Sequence, residues 1–130
     1  MARLIVILFT LISIVGYSQT DYIIYKVRAG AFDGDTRKFD LKESYPVVMK
    51  IRISNDTMRV TDFASSFYVL TESTLEQNTE TVSVISYKAT DEKGRKCTIF
   101  NRTSKTIEHS SIVVVYSNYI IQYFIADKVK

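Results

Sequence analysis

From Val47 to Thr61 the chain alternates apolar and polar residues with a period of two, and that alternation constrains the fold more than any other feature. Val47, Met49, Ile51 and Ile53 fall on one side, and Val48, Lys50, Arg52 and Ser54 on the other. Successive side chains of a strand point to opposite faces, so the pattern predicts a strand buried on one face. Asn55-Asp56 interrupts it with two residues that tolerate positive φ, which predicts a two-residue hairpin turn. Turning there pairs Ile53 with Met58 and Ile51 with Val60, all on one face. A slip of one residue would scatter that set, so the register is specified.

The rest of the chain agrees. Val, Ile, Thr, Tyr and Phe dominate after residue 20, whereas the only leucines there are Leu41, Leu70 and Leu75. That usage favours strands over helices. Tyr22 to Val27 reads as a first strand, with Tyr22, Ile24 and the stem of Lys26 on one side and Ile23, Tyr25 and Val27 on the other. Ala29 to Pro46 reads as a connection, with Asp33-Gly34-Asp35 as its turn signal, and Pro46 opens the next strand. Phe67 to Thr71 forms a strand that reaches back toward Ala64. Thr71 to Glu80 is almost free of apolar residues and is expected to be a loop or a single helical turn, since Ser73 and Glu76 have capping-box spacing. Val82–Thr90 and Arg95–Asn101 flank Asp91-Glu92-Lys93-Gly94, a type I turn with glycine in the left-handed position. Ile112–Tyr116 and Tyr119–Ile125 form a last hairpin through Ser117-Asn118. It stacks Tyr116 on Tyr119, Val114 on Ile121 and Ile112 on Tyr123, and with both faces apolar it is expected at the centre of the sheet system.

The expected fold is therefore all-β: an antiparallel meander of seven to eight strands forming a small barrel or a two-layer sandwich. Lipocalin-like barrels are the obvious comparison. The chain has no tryptophan, however, so their glycine-x-tryptophan signature near the first strand is missing. It is also shorter than that fold usually needs, and no family is claimed.

Residues 1–18 read as a signal peptide and 19–130 as a single β domain. Arg3 supplies the positive start, Leu4 to Val15 the apolar stretch, and Gly16-Tyr17-Ser18 small residues before a cut at Gln19. The arrangement resembles export signals of some Gram-negative bacteria, which places the product in the periplasm or outside the cell. The apolar stretch is shorter than the roughly 20 residues of a spanning helix, so no integral membrane span is expected in the mature chain. Cys97 is the only cysteine, which rules out an intramolecular disulfide. The whole chain carries +3, and loss of Arg3 leaves too little charge to point to nucleic acid.

No catalytic constellation emerges, and no cofactor or metal is expected. His109 is the only histidine, and nothing in its spacing links it to Cys97. Cys97 is read as a small core residue and His109 as an exposed loop residue. One Cys and one His cannot make a structural zinc site. Asp33, Asp35 and Asp40 cluster, but Arg37-Lys38 breaks the EF-hand pattern. A hydrolase would have to rely on loop acids among Glu72, Glu76, Glu80, Asp91, Glu92 and Glu108. Asn55-Asp56-Thr57 and Asn101-Arg102-Thr103 match the glycosylation pattern, read as accidental in a bacterial chain.

Two surfaces remain. The hairpin register sets Arg52 opposite Arg59, with Lys50 further along the same face. Like charges opposed across a ladder are unfavourable, so either an acid on a neighbouring strand or splaying into water offsets them, or Lys50, Arg52 and Arg59 form a site for an anion or acidic partner. Tyr116, Tyr119 and Tyr123 share a face with Val114 and Ile121 and are the candidates for lining a ligand cavity. The expected function is an exported, non-enzymatic binding or protein-interaction module that engages a protein or an envelope polymer. The alternative is a small lipocalin-like carrier of an apolar or amphipathic ligand.

Overall fold

The computed structural model describes residues 19–61, 65–104 and 110–129. Residues 1–18, read above as a signal peptide, and Ala64, Glu108 and His109 lie outside the described residues. Among the described residues nine strands follow one another: β1 (Gln19–Asp33), β2 (Lys38–Leu41), β3 (Tyr45–Ser54), β4 (Thr57–Thr61), β5 (Ser65–Asn78), β6 (Val82–Asp91), β7 (Lys96–Ser104), β8 (Ser111–Val115) and β9 (Tyr119–Val129). Successive strands pair antiparallel in a meander, except that β3 pairs with β1 in place of β2, and β1 also pairs with β9. The sheet closes into an eight-stranded barrel with β2 as an extra strand. Of the two architectures expected, the barrel is the one formed. Among the described residues no helix is long and apolar enough to cross a membrane.

The 47–61 and 112–125 hairpins keep their predicted registers, and the hairpin predicted around Asp91–Gly94 forms between β6 and β7. Ile53 pairs with Met58 and Ile51 with Val60. Val114 pairs with Ile121 and Ile112 with Tyr123. Between β6 and β7, Gly94 takes φ 81°, the left-handed value a side chain would strain.

Four expectations are corrected. First, β1 does not alternate throughout. A register shift between Ile24 and Lys26 inserts a bulge, so Val27 points inward with Tyr22 and Ile24. Second, Ala29–Pro46 is not a plain connection. β1 runs on to Asp33, turns where Asp33 Oδ1 accepts the Asp35 N–H at 2.9 Å, and returns as β2. β2 and β3 lie end to end along one edge of β1, Gly30 pairing with Leu41 and Val27 with Tyr45. A side chain at position 30 would collide with the Asp40 carbonyl, so glycine permits this approach.

Third, Thr71–Asn78 is strand and neither loop nor helix. It continues β5 along β6, Glu72 pairing with Lys88 and Leu75 with Ile85. Every side chain in that stretch is exposed, so no alternation marked it. Backbone pairing formed it instead. Fourth, the last hairpin is not the middle of an open sheet, because a closed barrel has no middle. Val113, Val115 and Ile120 on its outer face are half-buried only.

The barrel interior is packed with side chains. Ile24, Ile51, Met58, Ile99, Ile112 and Val114 are each exposed by less than 2%. An eight-stranded barrel is about the size that side chains can fill. Each such aliphatic burial contributes about 1.5–3 kcal/mol, which allows the fold to stand without a disulfide. Cys97 is free and buried, in keeping with the core role read from sequence.

Candidate functional site

The candidate site is one mouth of the barrel, built outward from the β8–β9 hairpin. Its register is carried to the turn by the Tyr116 N–H, which donates to the Tyr119 carbonyl at 2.7 Å. Period two then steps one face of β9 toward the rim. Tyr123 is buried, Ile121 half-buried and Tyr119 38% exposed. All three predicted tyrosines line one cavity of about 510 Å³. Tyr68 from β5, Asp91 from the end of β6 and Arg95 from the following turn complete its wall.

Asp91 organises this wall. Its Oδ1 accepts the backbone N–H groups of Lys93 at 3.0 Å and Arg95 at 2.8 Å, which folds the turn over the carboxylate. Its Oδ2 accepts Arg95 Nε at 2.8 Å and the Tyr116 hydroxyl at 2.9 Å. The Asp91 side chain is only 5% exposed, while that of Arg95 is 62% exposed and reaches the rim. The guanidinium also lies over the Tyr116 ring, 5.1 Å from its centroid.

These contacts set the protonation states. Burial alone would raise the Asp91 pKa. It is nonetheless held below the ordinary carboxylate range by the Arg95 N–H, the Tyr116 hydroxyl, the Arg95 guanidinium and the Lys93 N–H. Tyr116 is pushed strongly upward by burial, and its hydrogen bonds with Asp91 and Tyr68 act in the same direction. Burial raises Tyr68 and Cys97 as well. Tyr68 and Tyr116 are thereby favoured as neutral phenols beside the carboxylate of Asp91, which is favoured ionised. With four hydrogen bonds received, Asp91 acts as a clamp on Tyr116 and Arg95, and its lone pairs are occupied for proton abstraction.

The basic outer face has different chemistry. Arg52 stands opposite Arg59, and Lys50 opposite Thr61. On the other side of Arg52 the partner in β1 is Asp21. Arg52 grips it in a fork, Nε donating to Oδ1 at 2.7 Å and Nη2 to Oδ2 at 3.1 Å. Lys50 Nζ lies 3.9 Å from the same carboxylate. The Arg52 hydrogen bond is the main reason the Asp21 pKa is lowered. Arg59 rests over the Phe67 ring at 5.3 Å. The acid on a neighbouring strand, one of the two offsets expected, is Asp21.

Of the loop acids among the described residues, Asp91 and Glu92 both line the mouth cavity. Glu92 accepts the Phe67 N–H at 2.8 Å, Glu76 accepts the Ser86 hydroxyl at 2.7 Å, and Glu72 pairs with Lys88 at 3.4 Å. Asp33 caps its own turn and Asp40 pairs with Lys42. Among the described residues no group of three or more His, Cys, Asp or Glu could hold a metal ion.

Sequence reasoning found the three tyrosines and missed Tyr68, Arg95 and the role of Asp91. Asp91 had a visible signal, since it opens a turn where a carboxylate caps following N–H groups. Nothing local marked it as buried. Comparison of the chain with protein-family models, curated proteins and solved structures finds no match.

Proposed function

We propose that this protein is a non-enzymatic binding barrel, exported to the periplasm or beyond, whose tyrosine-lined mouth takes a small amphipathic ligand. The observation that carries the reading is the convergence of Tyr116, Tyr119 and Tyr123 on one cavity of about 510 Å³, within the usual range for small-molecule sites. Aromatic bodies provide apolar contact, hydroxyl tips provide hydrogen bonds, and Arg95 at the rim favours a ligand with an anionic or acceptor group. Because aliphatic side chains fill the interior beneath, the mouth suits a compact, ring-bearing molecule better than a long alkyl chain. The basic outer face supports partner binding less well, because Arg52 grips Asp21 through both Nε and Nη2 and Lys50 lies beside the same carboxylate, whereas Arg95 meets Asp91 through Nε.

The test is a panel of aryl carboxylates, matched aryl alcohols and fatty acids of increasing length. Binding is read by native mass spectrometry and by intrinsic emission, which comes from tyrosine because the chain has no tryptophan. Compact aryl carboxylates are expected to bind. Arg95→Gln should weaken them about tenfold, the loss of one charge-assisted contact, and Tyr119→Ala should weaken carboxylates and alcohols alike. Tighter binding with each added methylene, or no binding by any member, would overturn the proposal.

A further inference from the structure

At the opposite end of the barrel, β5 outruns its neighbour. Thr57 to Thr61 of β4 pair with Val69 to Ser65, and the last backbone bond across that seam is the Leu70 N–H to the Asp56 carbonyl at 2.8 Å. Beyond it, Thr71–Asn78 pairs with β6 alone among the described residues. These eight residues span about 26 Å at the usual strand rise. Their outer edge offers backbone N–H and C=O groups to a further strand. We propose that this edge accepts an extended basic segment of a partner protein by strand addition.

The charge and shape of the edge select that occupant. Glu72 and Glu76 are exposed along the ribbon, and Glu80 is exposed just past its end. Glu72 and Glu76 share its outer face, Glu72 beside Lys88 and Glu76 bonded to Ser86. A second copy pairing edge to edge would bring both sets of glutamates onto one seam, which like-charge repulsion opposes. A strand with Lys or Arg at alternate positions would complement them. Leu75, 58% exposed beside Ile85, offers an apolar contact to the residues between. Register shifts between Leu70 and Glu72 and between Leu75 and Gln77 kink the edge. Such bulges discourage indiscriminate pairing and leave recognition to a matched partner. Main-chain bonds would supply affinity, and the alternating side chains would supply specificity.

The experiment uses an acetylated octapeptide of alternating Lys and Val, with the Glu-Val octapeptide as control, against the full barrel. Amide hydrogen exchange should slow across Thr71–Asn78 with the Lys peptide only, and affinity should fall as salt rises. The double variant E72K/E76K, changed at two exposed positions, should lose at least tenfold in affinity with its far-ultraviolet circular dichroism unchanged. Equal binding of the Glu peptide, protection elsewhere with Thr71–Asn78 unchanged, or protection that rises with protein concentration in the absence of peptide would each overturn the assignment. None of these readouts involves the tyrosine mouth.

Discussion

Two Asp–Arg pairs in this barrel have the same chemistry and different consequences. Asp21–Arg52 bridges β1 and β3 on the outer face, with side chains 19% and 44% exposed. Asp91–Arg95 spans a tight turn at the mouth, where the carboxylate is 5% exposed and also receives two backbone N–H groups and the Tyr116 hydroxyl. The Arg–carboxylate contact is about as short in both, 2.7 and 2.8 Å. The difference lies in what else depends on the carboxylate. Removing Asp21 returns two cations to water. Removing Asp91 takes the shared acceptor from the Tyr116 hydroxyl and from two backbone N–H groups. Burial and shared partners, more than distance, determine how much a pair matters.

The largest effect expected is therefore at the mouth. Asp91→Ala should lower the urea midpoint far more than Asp21→Ala. The yardstick is Ile112→Ala, which opens a cavity at a fully buried position and should lose about 2–5 kcal/mol. Equal losses for the two aspartates would dissolve the distinction drawn between them.

Acid pH sharpens the same contrast. Both carboxyl pKa values are lowered in the folded state. Their contributions are thus present above the ordinary carboxylate pKa and fade as pH falls through the folded values. Asp91→Asn should flatten the acid limb of the stability curve more than Asp21→Asn. At alkaline pH the tyrosines give the complementary signal. Tyr22, Tyr68, Tyr87 and Tyr116 have raised values, so the stability they confer holds below the ordinary tyrosine pKa and is lost as pH rises through the folded ones. Tyrosinate absorbance should therefore include a late step coincident with unfolding, and Asp91→Ala should move the Tyr116 part of it earlier.

The smallest effects belong to the outer face. Added salt should erase most of the Asp21–Arg52 coupling in a double-mutant cycle and leave Asp91–Arg95 largely intact. Arg59→Thr relieves the opposed cations but gives up the contact with Phe67, so stability should change by about 0.5 kcal/mol or less.

Legibility followed the range of the interaction. The 47–61 hairpin, the Gly94 turn and the tyrosine register were readable because a turn and a period of two specify them within some fifteen residues. The Tyr25–Lys26 bulge was not, because one inserted residue breaks the alternation without leaving a compositional mark. Thr71–Asn78 was opaque for a related reason, since a ribbon exposed on both faces has no hydrophobic pattern. The mouth was half legible: three tyrosines from one hairpin were found, while Tyr68 came from strand β5 and Arg95 from the turn after β6.

The chain by itself determined that it would be a ribbon fold and how the 47–61 and 112–125 hairpins would register, because side-chain alternation and turn chemistry act locally. Tertiary structure decided that β1 meets β9 and closes the barrel, that Asp21 lands beside Arg52, and that Asp91 is buried under Tyr116. Those outcomes require strands up to about a hundred residues apart to share one edge or one opening. Only the closed sheet, with its interior filled, fixes which distant residues face each other.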